Sequence, residues 1–316
     1  MVMKNRRMVF QSVLVCMFVP SFGSPLFSED LDVVYLGGQS NMEGFGYVNE
    51  ITNNVPGVIP NVFIFHSSAS LDRQPLGGLG KWMPLQPGHG VGFVSDGKSN
   101  TYSDRFGVEL SLATELQRLR PGRKLAIIKY ARNGSSIHQD AAGDWGCWEP
   151  DFQAVEGPNR DINQYDHFLV TIRNATTNSD VDHDGTVDVL NPIGIVWMQG
   201  ESDAVHSIEI AKQYEANLKQ LMDLMRAALR VDDLPVVIGR ISDSGKNEKG
   251  KIWTHGDVVR AAQASFVDKD SAARLVTETD SYGYSDPYHY DSSGYIDLGI
   301  QFAKRLQELV DDSSTR

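Results

Sequence analysis

Cysteine is almost missing: the 316 residues include two, Cys16 and Cys147. If the first leaves with a leader, no intrachain disulfide can form and the domain rests on its core. Gly146-Cys147-Trp148 carries no nucleophile signature, so Cys147 reads as a small buried apolar residue. Positive charge is scarce as well, with 29 Lys and Arg against 41 acidic residues and a net charge of −12. Phosphate-rich surfaces are bound by clustered Lys and Arg, so neither nucleic acid nor an anionic membrane is an expected partner. Repeats, low-complexity tracts and linker-like shifts are absent, which leaves one domain. The apolar stretch Met8 to Pro20 is shorter than the ~20 residues of a membrane span.

That stretch follows Lys4, Arg6 and Arg7 and precedes Ser21, Gly23 and Ser24, the order of a secretory signal. We expect a leader over residues 1–28, cleaved between Phe22 and Glu29, and one domain over 29–316. The product would be secreted or periplasmic, with no membrane contact after signal removal. Val15 ahead of Cys16 speaks against lipid attachment.

Beyond the leader, short β-branched runs alternate with helical patterns. Strands are expected at Val33–Leu36, Asn61–Phe65, Lys124–Tyr130, Ile193–Met198, Leu234–Ile241 and Leu275–Thr277. Helices are expected over Asp104–Leu119 with Asp104 as N-cap, Ile208–Leu229, Asp257–Val267 and Ser293–Leu309. Continuously apolar strands joined by helices make a parallel sheet covered on both faces. Two long stretches, Ser67–Ser103 and Asn133–Tyr165, read as loops. In such sheets ligands bind beyond the carboxyl ends of the strands.

The reactive polar residues fall at those ends. Ser40 follows the first strand in a Gly-rich turn, Gly134 follows Lys124–Tyr130, Gln199 ends Ile193–Met198, and Asp286 and His289 precede the last helix. A hydroxyl nucleophile needs a base, a group that orients the base, and donors for the oxyanion. His289 is the candidate base for Ser40 and Asp286 its partner. The N–H groups of Ser40 and Gly134 with the Gln199 amide are the candidate oxyanion hole. Asn41, Arg132, His138 and Trp145 are candidate substrate contacts, with Trp148 a second ring for a sugar. Glu201 and Asp203 read as buried structural acids around the Ser40 turn.

Four strings, Gly38-Gln39-Ser40-Asn41-Met42, Ala131-Arg132-Asn133-Gly134-Ser135-Ser136, Trp197-Met198-Gln199-Gly200-Glu201-Ser202-Asp203 and Asp286-Pro287-Tyr288-His289, resemble the motif blocks of SGNH hydrolases. Within that superfamily they are most similar to the sialate O-acetylesterase and acetylxylan esterase group, including carbohydrate esterase family 6. The likeness runs from about Asp32 to Leu309. It implies a flavodoxin-like three-layer α/β/α fold with about five parallel strands in the order 2-1-3-4-5. It implies a Ser-His-Asp esterase that removes O-acetyl groups through an acyl-enzyme and needs no cofactor. By the same likeness Ser40 matches the nucleophile, Asp286 and His289 the acid–base pair, and Gly134 and Gln199 the oxyanion donors. Two departures stand out. Gln199 replaces the Asn of the wider superfamily, and Asn133-Gly134-Ser135 replaces its Gly-Gly-Thr.

Asp180, Asp182, Asp184 and Asp188 take positions 1, 3, 5 and 9 of an EF-hand-like calcium loop with Gly185 at position 6. Position 12 is Asn191 instead of Glu, so calcium competes here with a plain solvated turn. Its role would be to stiffen the loop ahead of Gln199. The expected partner is an acetylated polysaccharide or sugar. Acetylated xylan, sialic acid and other glycans present the same small ester and stay open. So do a lipase-like preference for longer acyl chains and a non-catalytic carbohydrate-binding protein on the same scaffold. The chain carries no signal of oligomeric state.

Overall fold

The computed structural model describes residues 28–51, 57–69, 77–153, 162–177, 179–248 and 250–314. The leader expected over residues 1–28, with Cys16, lies outside the described residues except for Ser28.

Seven strands form one sheet: β1 (Asp30–Gly38), β2 (Val62–His66), β3 (Trp82–Pro84), β4 (Lys124–Ala131), β5 (Val189–Met198), β6 (Val236–Gly239) and β7 (Ala273–Val276). Their spatial order is β7-β6-β5-β1-β4-β2-β3, and every neighbouring pair is parallel except β2 with β3. Taken alone, β4-β1-β5-β6-β7 reproduce the expected 2-1-3-4-5 order. The sheet is nonetheless wider than the expected five strands, because β2 and β3 extend it past β4.

Helices cover both faces. They are α1 (Glu109–Leu119), α2 (Gln164–Thr177), α3 (Ile208–Leu229), α4 (Gly256–Lys269) and α5 (Ser292–Ser314). On one side α1 packs against α5; on the other α3 packs against α4, and α2 lies against β4. The central strand β1 is buried at every position after Asp30, as a strand covered from both sides must be. In α3, Leu218, Leu221, Met222 and Met225 form a buried stripe at helical spacing, and the Ser207 side chain accepts the Ile210 N–H at 3.2 Å as the N-cap. Among the described residues no helix is long and apolar enough to cross a membrane.

Several elements differ from expectation. Strand β3 falls in the stretch 67–103 expected as loop, and α5 runs on to Ser314. The helix expected from Asp104 begins at Glu109, because Arg105 and Phe106 pair with Gly46 and Tyr47 as a small antiparallel ladder. Glu109 then accepts the Gly107 N–H at 2.9 Å and holds the turn into the helix. Helix α2 was not expected; its entry is fixed by Asn163, whose side-chain oxygen accepts the N–H groups of Tyr165 and Asp166 at 2.9 and 3.1 Å. Strand β5 starts at Val189, four residues before the expected Ile193. In register, Gly38 lies beside Ala131 on one side and Met198 on the other, so the segments leaving β1, β4 and β5 emerge together.

Candidate active site

The segment leaving β1 turns into a single helical turn, Ser40–Glu43, whose amides Met42 and Glu43 donate to the Gln39 carbonyl at 2.9 and 2.8 Å. The first amides of a helix have no intrahelical partner, so the Ser40 N–H is left for other acceptors. Fixed contacts hold this turn. Buried Lys129 donates to the Glu43 carbonyl at 2.9 Å, to the His89 carbonyl at 2.8 Å and to the Glu109 carboxylate at 2.8 Å. A buried ion pair tolerates desolvation only when its remaining hydrogen bonds are made, and here the ammonium has three acceptors. Burial pushes the Glu43 carboxyl up, while the Asn133 N–H, Arg132 and Lys129 pull it back.

His289 reaches the same region from the loop before α5. Its Nδ1 lies 2.7 Å from Asp286 Oδ2, and Asp286 Oδ1 accepts the N–H groups of Tyr288 and His289 at 2.7 and 2.9 Å. The three-residue spacing thus folds the carboxylate back onto the ring. Phe45 stacks on the imidazole with centroids 3.6 Å apart and planes within 4°. Burial lowers the His289 imidazolium below its ordinary range, with Arg105 adding to this and Asp286 opposing it. For Asp286, burial acts to raise the carboxyl, and the imidazole with the two backbone donors outweighs it, leaving the group below its usual range. Near neutral pH the pair is a neutral imidazole beside a carboxylate, the state a general base requires.

Ser40, Gly134, Trp145 and His289 line one cleft of about 370 Å³. Gly134 has no room for a Cβ, which would collide with the Trp145 indole. Trp145 is 41% exposed at the rim, with the Arg132 guanidinium 5.2 Å from its ring centroid. Arg132 itself is not among the lining residues.

Gln199 corrects an expectation. It is fully buried, and its amide nitrogen donates to Asp203 at 2.7 Å and to Gln39 Oε1 and the Ser135 carbonyl at 3.2 Å each. Its amide oxygen accepts from Tyr214 at 3.0 Å, which settles the orientation because a carboxylate partner can only accept. The amide therefore braces the floor and does not face the cleft. Gln39 does line the cleft, while its Oε1 faces inward to the Gln199 amide and to the Gly200 and Ser202 N–H groups at 3.3 Å.

Two expected substrate contacts also lie elsewhere. Asn41 is buried: its Nδ2 donates to Glu201 at 2.8 Å and to the Tyr288 carbonyl at 3.3 Å, and its Oδ1 accepts from Tyr295 at 2.8 Å. It ties the Ser40 turn to three other segments. His138 donates its backbone N–H to Asp203 at 2.8 Å and does not line the cleft. Trp148 is core, donating from its indole to Ser135 at 2.9 Å and packing edge-on against Trp197. Buried Cys147 has its thiol pushed up to about 12 by burial, which removes it as a nucleophile. Asp203 accepts the N–H groups of Ile137 and His138, so Glu201 and Asp203 hold the expected scaffold positions.

The sequence reading missed Val205, His206, Trp253 and Tyr288 as lining residues. Tyr288 sits inside the Asp286–His289 string and could have been read from it. Trp253, in the irregular stretch after β6, carried no signal.

The acidic loop lies far from this edge. The carboxylates of Asp180, Asp182 and Asp188 come within 4.8 Å of one another, whereas exposed Asp184 stays outside the group and accepts the Thr186 N–H at 2.7 Å. Both oxygens of Asp188 already accept backbone N–H groups, from Glu29 at 3.1 Å and Val181 at 2.9 Å. Three clustered carboxylates suit a hard cation, though Asp184 does not join them. The loop precedes β5 and Gln199 follows it, so at ~3.3 Å per residue the ten-residue strand separates them by roughly 30 Å. A cation here would stiffen the loop that leads into β5, at the edge of the sheet opposite Gln199.

Comparison with known proteins agrees with this architecture. Residues 30–308 match the family described as carbohydrate esterase, sialic acid-specific acetylesterase. No curated protein matches. Among solved structures, a protein from Arabidopsis thaliana is 18% identical with a TM-score of 0.58, covering 88% of this chain and 98% of its own. A carbohydrate acetylesterase from Xanthomonas citri is 17% identical with a TM-score of 0.59, covering 89% of this chain and 56% of its own. NanS is 14% identical with a TM-score of 0.57, covering 92% of this chain and all of its own. At these identities the structures speak to the fold.

Proposed function

The chain belongs to the carbohydrate esterase family of sialic acid-specific acetylesterases and is a carboxylic ester hydrolase, and from that premise we propose that it removes O-acetyl groups from carbohydrate through Ser40, His289 and Asp286. The observation that carries the reading is the 2.7 Å contact of His289 with Asp286 in a histidine that shares one cleft with Ser40. Ser40 Oγ attacks the acetyl carbonyl while His289 Nε2 takes its proton, and Asp286 holds Nδ1–H and stabilises the imidazolium. The oxyanion is met by the N–H groups of Ser40 and Gly134. Gln39 takes the side-chain place expected of Gln199, because its inward Oε1 leaves Nε2 for the cleft. His289 then protonates the sugar alkoxide. Water, deprotonated by the same imidazole, releases acetate and restores Ser40. Protons and electrons balance among Ser40, His289 and water, so the chemistry calls for no cofactor.

The signal-like order of residues 1–28 supports export, and the net charge of −12 supports an encounter with neutral glycan instead of nucleic acid or membrane. The acidic loop is proposed to hold a structural calcium through Asp180, Asp182 and Asp188. The test is acetate release from a panel of natively acetylated xylans, other glycans and sialosides, with labelling by a serine-directed phosphonate mapped by mass spectrometry. Acetate release and a single label on Ser40 are expected. Labelling elsewhere, or a 4-nitrophenyl ester series preferring C8 over C2, overturns the reading.

A further inference from the structure

A second hollow of about 270 Å³ adjoins the catalytic cleft, and Trp253 lines both. We propose that this hollow is a subsite for a neutral sugar unit neighbouring the acetylated one, so that the enzyme works on acetylated oligosaccharides and not on single sugars. The inference rests on the esterase reading and deepens it.

The shared wall is rigid. The Trp253 indole N–H donates to the Ser242 carbonyl at 3.0 Å, its backbone N–H donates to Asp243 at 2.8 Å, and the side chain is buried to 9% exposure. Tyr288, which lines the cleft beside His289, leans on it with centroids 5.8 Å apart and is itself 50% exposed. Trp253 thus forms the sill between the hollows, with the Tyr288 ring against it on the cleft side. Such rings offer an apolar face to the C–H side of a sugar at low entropic cost. Each hollow alone sits near the small end of the ~300–1,000 Å³ range of ligand pockets, and a chain crossing the sill would use both.

The two linings differ in charge. Among the described residues no Lys, Arg, Asp or Glu lines the catalytic cleft. The second hollow carries Lys251 and Arg260 against Asp243, Asp257 and Asp280, two cations to three carboxylates and a formal −1. Each cation already has a carboxylate: Lys251 meets Asp257 at 2.6 Å and Arg260 meets Asp280 at 2.7 Å. Asp243 is held by the N–H groups of Gly245, Ile252 and Trp253. Neutralised pairs present donors and acceptors at fixed positions, which suits hydroxyl groups. Among the described residues an anionic sugar would find no uncommitted cation in either lining, since Asp280 also holds Arg240 from behind the second hollow.

The experiment compares kcat/KM for an acetylated neutral trisaccharide, an acetylated methyl monosaccharide, an acetylated sialoside and 4-nitrophenyl acetate. In the wild type the trisaccharide should exceed the monosaccharide by about tenfold. In the Lys251→Ala/Asp257→Ala double variant, the trisaccharide to 4-nitrophenyl acetate ratio should fall by about tenfold, chiefly through KM. Unacetylated neutral trisaccharide titrated into wild-type protein should shift the Trp253 indole N–H resonance. Turnover of 4-nitrophenyl acetate with no trisaccharide advantage overturns the subsite and leaves the esterase reading standing. An equal gain with the sialoside overturns its neutral specificity. If no ester is turned over, the esterase reading fails, and an unmoved Trp253 resonance removes the subsite as well.

Discussion

The corners that follow β1 and β5 lie side by side in the sheet and share a local plan. Each passes through a glycine at φ 143° and enters a single short helix, Ser40–Glu43 or Glu201–Val205. A Cβ on Gly38 would run into the backbone of Met198, and one on Gly200 would press on Val259 and Ile241. Each corner carries a glutamine and an acid. Yet the first lays Ser40 against the cleft, and the second buries Gln199, Glu201 and Asp203. The difference lies in what covers them. Tyr214 of α3 donates to the Gln199 carbonyl at 2.7 Å and Gln263 of α4 donates to it at 3.0 Å, so two helices cover Gln199, while Ser202 and Val205 of the same turn still line the cleft. Over the first corner, the segment Asp286–His289 arrives with the imidazole. A strand-end motif faces a cleft or the core according to its roof.

The sharpest break in that comparison is Ser40→Ala. If the first corner reacts, turnover of 4-nitrophenyl acetate falls about 10⁵-fold while the melting temperature stays within a few degrees of wild type. Retained turnover by folded protein would end the assignment.

Next comes Asp286→Asn, with an expected loss in kcat of about 10²–10⁴-fold. The pH profile adds a sign. His289 works as base only when neutral, so activity falls as pH drops through its lowered pKa, on the acid side of 6.5. Asp286 is the group that raises that pKa, so the variant should carry its acid limb to lower pH while its plateau drops. A limb that stays in place would show that Asp286 does not hold the imidazole.

Gln199→Ala tests the second corner. It strips partners from Asp203, Gln39 and Tyr214 inside the core, at a cost of about 3 kcal/mol. The melting temperature should fall by roughly 6–10 °C, with kcat well below that temperature reduced less than tenfold. An oxyanion donor would behave in the opposite way, losing about 10²–10³ in kcat with the fold intact.

This contrast marks what was legible beforehand. Strand periodicity gave the parallel sheet, and the position of Ser40 and Gly134 after strands, with His289 ahead of the last helix, placed them at one edge. The helical stripe of α3 was readable to its last residue. Gln199 was misplaced because its proximity to a strand end says nothing of the direction its amide faces; Tyr214 and Asp203 decide that from other elements. Asn41 was misplaced for the same reason. β2 widened the sheet by pairing with β4, and β3 by pairing with β2, contacts that no local pattern encodes, and Trp253 reached the cleft from an irregular segment. Periodicity reports burial along one element, whereas a site is made of encounters between elements.

The smallest expected effect compares the two acids. Burial raises Glu201 from 4.5 to about 7, with the Asn41 side chain opposing and Asp203 adding, and its Oε2 has no partner among the described residues. Glu43 is also raised by burial but is pulled back by a backbone N–H and two cations. A carboxyl raised in the folded state holds a proton that the unfolded chain has released. Its contribution is therefore full below about 4.5 and is lost as pH rises through about 7. Glu201→Gln keeps an acceptor for Asn41 and removes the titration. The variant should thus match wild type near pH 5 and gain a few degrees in melting temperature over it by pH 8, while Glu43→Gln gains less over the same range. Equal slopes for the two variants would mean that the cations around Glu43 do not distinguish the corners. A steeper slope for Glu43→Gln would reverse the order drawn from their surroundings.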